Sequence, residues 1–268
     1  MTSFDSTLGV LQGVFAALFG LVFGSFGTVL ATRMIAGESI AGDGSHCRSC
    51  GATLTWRQNI PVLSWLIQRG KCSKCKEPIS VAYPLTEVTT ALLFVATVGT
   101  QLSVPSIAMA GLAVVTAPLI WTDLKTHRLP NPITYGFALF AIACALASVA
   151  TDGNAHRLVD ALTWGLVPAA AMFTLNLISR GGMGMGDVKL SLGLGITLTL
   201  QSSGAMAAGF IVAFVIAAVV SAVSLAFRRT SMKSAIPFGP YLLLGAWISY
   251  LLGPTLQTLI TSPWALTL

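Results

Sequence analysis

Residues 188–227 read VKLSLGLGITLTLQSSGAMAAGFIVAFVIAAVVSAVSLAF, forty residues carrying one charge, Lys189. As one helix this stretch would be about 60 Å long, roughly twice the hydrocarbon thickness of a bilayer. Gln201-Ser202-Ser203-Gly204 sits in its middle and has the composition of a turn. The stretch therefore divides into two spans, 187–201 and 204–227. Working outward at roughly 20 apolar residues per crossing gives six more, at 8–31, 83–102, 105–122, 132–151, 158–179 and 237–259. The expected fold is an all-α polytopic membrane protein of about eight transmembrane helices.

Composition leads to the same class. Only 9% of the 268 residues are charged, 54% are hydrophobic, and mean hydropathy is +0.81. A soluble domain carries about 25% charged residues, and disorder needs low hydrophobicity with high charge. The net charge of +6 reads as topology and attraction to anionic lipid, with no nucleic-acid partner expected. Met1 to Thr7 holds Asp5 and no Lys or Arg. It lacks the basic region of a cleaved signal, so the first apolar run is expected to stay as a membrane helix.

The basic residues test the span count. Arg33, Arg48, Arg57, Arg69, Lys71, Lys74 and Lys76 lie between spans 1 and 2, and Lys125 and Arg128 between spans 3 and 4. Arg180 and Lys189 flank the start of span 6, and Arg228, Arg229 and Lys233 follow span 7. With eight spans these connections share one face, and only Arg157 falls opposite. Lys and Arg accumulate in cytoplasmic loops, so that face is cytosolic and both termini are expected outside the cytoplasm. Merging spans 6 and 7 would put the last three bases on the wrong side.

Residues 33–82 are too polar and too long for an ordinary loop. They contain Cys47-Arg48-Ser49-Cys50 and Cys72-Ser73-Lys74-Cys75, with 21 residues between the pairs, one beyond the usual zinc-ribbon spacing. Two residues between thiolates form a tight knuckle, and two knuckles complete a four-sulfur tetrahedron. A segment this small builds little core, so bound Zn2+ would supply its folding energy as a structural ion. Disulfides or four unrelated thiols are the alternatives, and a reducing cytosol disfavours the former. His46 adjoins Cys47 and reads as a surface residue. Cys144, mid-span, reads as an apolar packing residue. The chain thus divides into a first transmembrane helix (1–32), a zinc-ribbon insertion (33–82) and a seven-helix membrane core (83–268).

Charged residues within spans are functional candidates. Asp123 closes span 3 and Asp187 opens span 6, in Gly184-Met185-Gly186-Asp187-Val188-Lys189. Opposite span directions put both carboxylates at the cytosolic edge. Two acids at one depth suit an aspartic protease, in which they share a proton, one activating water and the other polarising the carbonyl. Gly184 and Gly186 would let a substrate backbone approach. Lys189 completes the mouth as a snorkelling cation. Taken singly, Asp187 also fits a helix cap, and Asp123 an interfacial acid paired with Lys125. Glu87, Asp160 and His127 read as interface groups, and Gly20 with Gly24 as a helix-packing pair.

These residues resemble the type IV prepilin peptidases, leader peptidases of the GxGD aspartic protease group, over nearly the whole chain. Gly184 to Leu190 matches the second catalytic motif, and Asp123 with Leu129-Pro130-Asn131 the first. Asn59 to Trp65, Arg69-Gly70, Tyr83-Pro84-Leu85 with Glu87, and Ile236 to Tyr241 match further signatures. The resemblance implies catalytic Asp123 and Asp187 at the bacterial inner membrane. They would cleave prepilins of type IV pili, or type II secretion pseudopilins, after the glycine that ends a basic leader. It also implies N-methylation of the new terminus from S-adenosylmethionine, since members with the cysteine insertion are typically bifunctional. Here Gly24-Ser25-Phe26 continues with Gly27-Thr28 where the family usually has Leu-Asn, and the loop before Cys47 lacks the usual proline stretch. No glycine-rich nucleotide loop is evident, so cofactor-binding residues are left unassigned. The rivals are a cleavage-only peptidase, a cation-coupled transporter with mid-membrane acids, and a non-catalytic assembly scaffold.

Overall fold

The computed structural model describes residues 3–39, 44–153, 155–179, 184–227 and 237–253. Regular structure among them is helical: α1 (Ser3–Ala36), α2 (Leu63–Ile67), α3 (Ala82–Thr97), α4 (Val104–Thr126), α5 (Asn131–Asp152), α6 (Ala155–Ile178), α7 (Met185–Thr199), α8 (Ser203–Ala226) and α9 (Gly239–Leu251). A 3₁₀ turn, Trp56–Asn59, and two isolated antiparallel bridges lie in the cysteine insertion. The break within residues 188–227 falls in the turn cluster. There the Ser202 hydroxyl caps α8 by accepting the Ala205 N–H at 3.0 Å. Arg180, Arg228, Arg229, Lys233, Ile236, both chain ends and the expected last turns of span 8 lie outside the described residues.

Five helices, α1, α4, α5, α6 and α8, are long and apolar enough to cross a membrane. The described parts of α3, α7 and α9 have 16, 15 and 13 residues, short of a full crossing. For α7 the surroundings give a reason. It packs against α5, α6, α8 and α9, and is buried at Leu190, Ser191 and throughout Gly193–Thr199. A helix enclosed by protein need not match the bilayer's thickness with its own length.

Contacts divide the chain into two units, Met1–Ser103 with Ala113–Pro118, and Val104–Leu112 with Leu119–Leu268. In the first, α3 lies close against α1 because glycines remove side chains from the seam. A methyl group at Gly20 would overlap the backbone of Ala91, and one at Gly24 would come within 2.8 Å of the Glu87 Cα. This is the small-residue packing predicted for the pair. Gly27 makes similar room, with the Pro118 ring 3.0 Å from where its Cβ would lie. The opposite face of α3 exposes Leu85, Val88 and Leu92.

The second unit repeats the device. Gly195 abuts the Gly165 carbonyl where α7 meets α6, and Gly245 abuts the Gly209 carbonyl where α9 meets α8. Ala108, Ala141, Cys144, Ala145, Ala161, Ile196 and Leu200 form a core cluster, so Cys144 is an apolar packing residue as expected. Gly195→Ala is expected to cost about 1–3 kcal/mol through overpacking. Gly136→Ala on α5, where a Cβ meets nothing within 4 Å, is expected to be neutral or to stabilise by up to about 1 kcal/mol. Thermal unfolding of the two variants in detergent checks the opposite signs.

Candidate functional site

The second unit holds both aspartates, each at a helix terminus. α4 ends where His127 adopts φ 50° and its N–H returns to the Asp123 carbonyl at 2.8 Å. This left-handed termination leaves Asp123 in the last turn, only 4% exposed. Its Oδ2 accepts the Gly239 N–H at 3.0 Å. Gly239 is the first residue of α9, so the positive end of that helix dipole faces the carboxylate. Asp187 lies in the first turn of α7, 8% exposed. The Gly184 N–H donates back to its carboxylate, as an acid at this position does in a capping box. Each aspartate thus meets the N-terminus of a different helix.

Leu129 joins the two. It is buried in the α4–α5 connection, and touches the positions where Gly186 and Gly239 would carry a Cβ, at 2.8 and 3.2 Å. Gly186 adjoins Asp187 and Gly239 binds Asp123, so the carboxylates share one neighbourhood, and the charge of Asp123 acts on Asp187. The space at Gly186 is therefore filled by Leu129. Gly184 is exposed, and among the described residues a Cβ there would lie 3.3 Å from the Asp187 carboxylate and 3.9 Å from the Gly186 nitrogen. Lys189 has protein partners: its ammonium donates to Asn131 Oδ1 at 2.8 Å and lies 4.8 Å from the Tyr135 ring centroid. It ties the start of α7 to the start of α5. His127 and Asp160 are exposed.

In the first unit, Cys47, Cys50, Cys72 and Cys75 bring all four Sγ atoms within 4.8 Å of one another. His46 instead pairs with Thr53 in a bridge. The knuckles are copies offset by 25 residues. Cys47 and Cys72 donate their N–H to Ala52 and Glu77, and accept from Gly51 and Lys76. One step further out, Leu54 N–H reaches the Ser45 carbonyl and Ile79 N–H reaches Gly70, both at 2.7 Å. Backbone N–H groups of Cys50 and Ser49 lower the Cys47 thiol, and those of Cys75 and Lys74 hold Cys72 at about 6. At Cys75 the Glu77 N–H is outweighed by desolvation and by the three neighbouring sulfurs, pushing that thiol up to about 12. Four sulfurs this crowded resist full ionisation without a cation, and the donor set fits a metal ion.

Two regions of the sequence match known families. Residues 18–100 match the bacterial peptidase A24 N-terminal domain, and residues 106–226 match the type IV leader peptidase family. Among relatives, the prepilin leader peptidase/N-methyltransferase of Bacillus subtilis (strain 168) is 33% identical over 247 residues, covering 89% of this chain and 94% of that protein. This chain belongs to the type IV leader peptidase family. Proteins of the same name from Aeromonas hydrophila and Myxococcus xanthus (strain DK1622) are each 33% identical. The match covers 79% of this chain and 72% of the first, and 75% of this chain and 60% of the second. No solved structure matches the chain significantly.

For this family member, sequence reasoning did not single out Leu129 or Gly239 as site residues, although both lie in quoted motifs. Their part depends on contacts between distant segments. It also did not find the 25-residue repeat, whose visible signal is only the doubled cysteine spacing. The repeat carries a strain. The left-handed position is Gly51 in one knuckle, at φ 68°, and Lys76 in the other, at φ 63°. That conformation costs a non-glycine residue about 1 kcal/mol. Lys76→Gly should therefore slow limited proteolysis of the insertion, and Gly51→Ala should hasten it.

Proposed function

We propose that this chain is a membrane aspartic endopeptidase that removes the basic leader from type IV prepilins or type II secretion pseudopilins, and that it also N-methylates the new terminus. The observation that carries the reading is the pair of buried carboxylates, Asp123 and Asp187, each against a helix N-terminus. The proposed placement is the bacterial inner membrane with eight crossings, both termini outside the cytoplasm, and the aspartates with the cysteine insertion on the cytosolic side. The domain division at residues 32 and 82 belongs to the same proposal.

In the proposed reaction the dyad shares one proton. The ionised aspartate takes a proton from water as its oxygen attacks the scissile carbonyl carbon, and the neutral aspartate donates a proton to the carbonyl oxygen. Collapse of the tetrahedral intermediate breaks the C–N bond, and a proton passes to the leaving amine. Helix N-termini favour the ionised state of whichever aspartate acts as base. Gly184 places no side chain of its own beside the Asp187 carboxylate. Gly186 admits Leu129, and Lys189 fixes the start of α7 to Asn131. Asp123→Asn and Asp187→Asn should each reduce prepilin cleavage by roughly a thousandfold or more. Gly239→Ala would bring a methyl group 2.8 Å from Asp123 Oδ2, and should lower kcat about 10–100-fold. Timed cleavage of a prepilin in detergent or nanodiscs checks all three, and retained processing in both Asn variants would overturn the reading.

The cysteine cluster is proposed as a structural zinc site. Tetrahedral coordination at about 2.3 Å per Zn–S bond places sulfurs about 3.8 Å apart, and Cys47 Sγ lies 3.8 Å from Cys75 Sγ. One zinc per chain is expected by elemental analysis of purified protein, lost when Cys47 and Cys50 become Ser. S-adenosylmethionine is the proposed methyl donor, supported by the relatives' names and assigned to no residues. Mass spectrometry of the product terminus distinguishes cleavage with methylation from cleavage alone.

A further inference from the structure

The cysteine insertion exposes large apolar side chains on a short piece of chain: Trp56 at 71%, Leu66 at 58% and Ile67 at 72%, with Leu63 beside them. The Trp56–Asn59 turn packs against α2, which carries the other three. In water such a cluster would be costly to leave bare. Its depth in the fold indicates what covers it. Val62, the residue before α2, donates its N–H to Glu87 Oε2 at 2.6 Å. Glu87 in turn lies against Gly24, well inside α1, a helix apolar enough to cross a membrane. The same level of α1 exposes Val22, Phe23 and Phe26. The Trp65 indole N–H also bonds the Ile79 carbonyl at 3.1 Å, holding α2 to the segment that enters α3. That segment and the following turn expose Val81 and Leu85, continuing the apolar outer face of α3.

Charge selects the kind of surface. Arg57, Arg69, Lys71, Lys74 and Lys76 are exposed in the insertion. The Arg57 guanidinium lies 5.3 Å from the Trp56 ring centroid, an amphipathic pairing suited to the headgroup layer. Val62 adopts φ 60°, a conformation a β-branched residue rarely takes. The Glu87 contact occurs at that bend, immediately before α2.

We propose that Trp56, Leu63, Leu66 and Ile67 form an interfacial anchor that inserts into the bilayer surface beside α1 and α3, with Arg57 and Arg69 on anionic lipid headgroups. The metal-binding insertion then lies on the membrane and does not project from it. The inference does not depend on peptidase activity. It is tested on the full chain in phosphatidylcholine nanodiscs, with or without phosphatidylglycerol, carrying a benzophenone side chain at position 67. On illumination, lipid adducts are expected at a yield comparable to a probe at position 92 on the outer face of α3. Phosphatidylglycerol should raise that yield severalfold, about fivefold per basic residue at most, and Arg57→Gln with Arg69→Gln should remove the increase. Absence of lipid adducts at position 67, a yield insensitive to phosphatidylglycerol, or replacement of lipid adducts by adducts to added prepilin would overturn the proposal. Because the readout is cross-linking, a failed anchor and a failed peptidase reading give separate results.

Discussion

An ionised carboxylate buried in an apolar bundle is strongly disfavoured unless donors or a cation meet it. Much of the second unit can be understood as a response to that constraint. No described lysine or arginine is bonded to Asp123 or Asp187. Instead each has a backbone N–H from a helix start, Gly239 of α9 and Gly184 ahead of α7. Backbone donors provide electrostatic relief without permanently neutralising the acid, whereas a bonded Arg would hold a carboxylate ionised throughout a proton-transfer cycle. A pair proposed to exchange a proton benefits from the former arrangement.

That arrangement requires two helix N-termini to converge, and glycine makes the convergence possible. Leu129 packs where Gly186 and Gly239 leave no Cβ. The body of α7 reaches α6 through Gly195 against Gly165, and α9 reaches α8 through Gly245 against Gly209. Association between membrane helices gains little from the hydrophobic effect, so close backbone approach and dispersion must provide more of it. The glycines of this chain therefore act twice, bringing helices together and clearing space around the acids.

The helix pattern was readable because hydropathy is a local property: each of the eight apolar stretches holds a helix among the described residues, five of them long and apolar enough to cross a membrane, and Gln201 to Gly204 gave the break between α7 and α8. The aspartates and paired cysteines were conspicuous for the same reason, as rare chemistry on an apolar background. What could not be read at the aspartate site was which distant residue meets which. Lys189 looked like a snorkelling cation, yet its partners Asn131 and Tyr135 lie over fifty residues away. Gly186 looked like an opening for substrate, and its space is taken by Leu129 across the α4–α5 turn. Gly239 lies within the quoted Ile236 to Tyr241 stretch, and nothing local there indicates that its N–H points at Asp123.

Glu87 shows how environment separates acids that sequence treats alike. Like the two aspartates it is a buried acid in a helix, here α3 of the first unit, at 7% exposure. Unlike them it receives donors from two other segments, the Val62 N–H and the Ser25 hydroxyl, and it lies in the packed seam against Gly24. A carboxylate has about four acceptor positions. Those of Glu87 serve to fasten the insertion to the seam of α1 and α3, so its replacement would release a loop. Among the described residues Asp123 and Asp187 each have a single backbone donor, and Gly184 beside Asp187 is exposed. Acceptor capacity unspent on the fold is what a water molecule or peptide carbonyl would need to find, and on that ground the two aspartates are reactive candidates while Glu87 is a structural one.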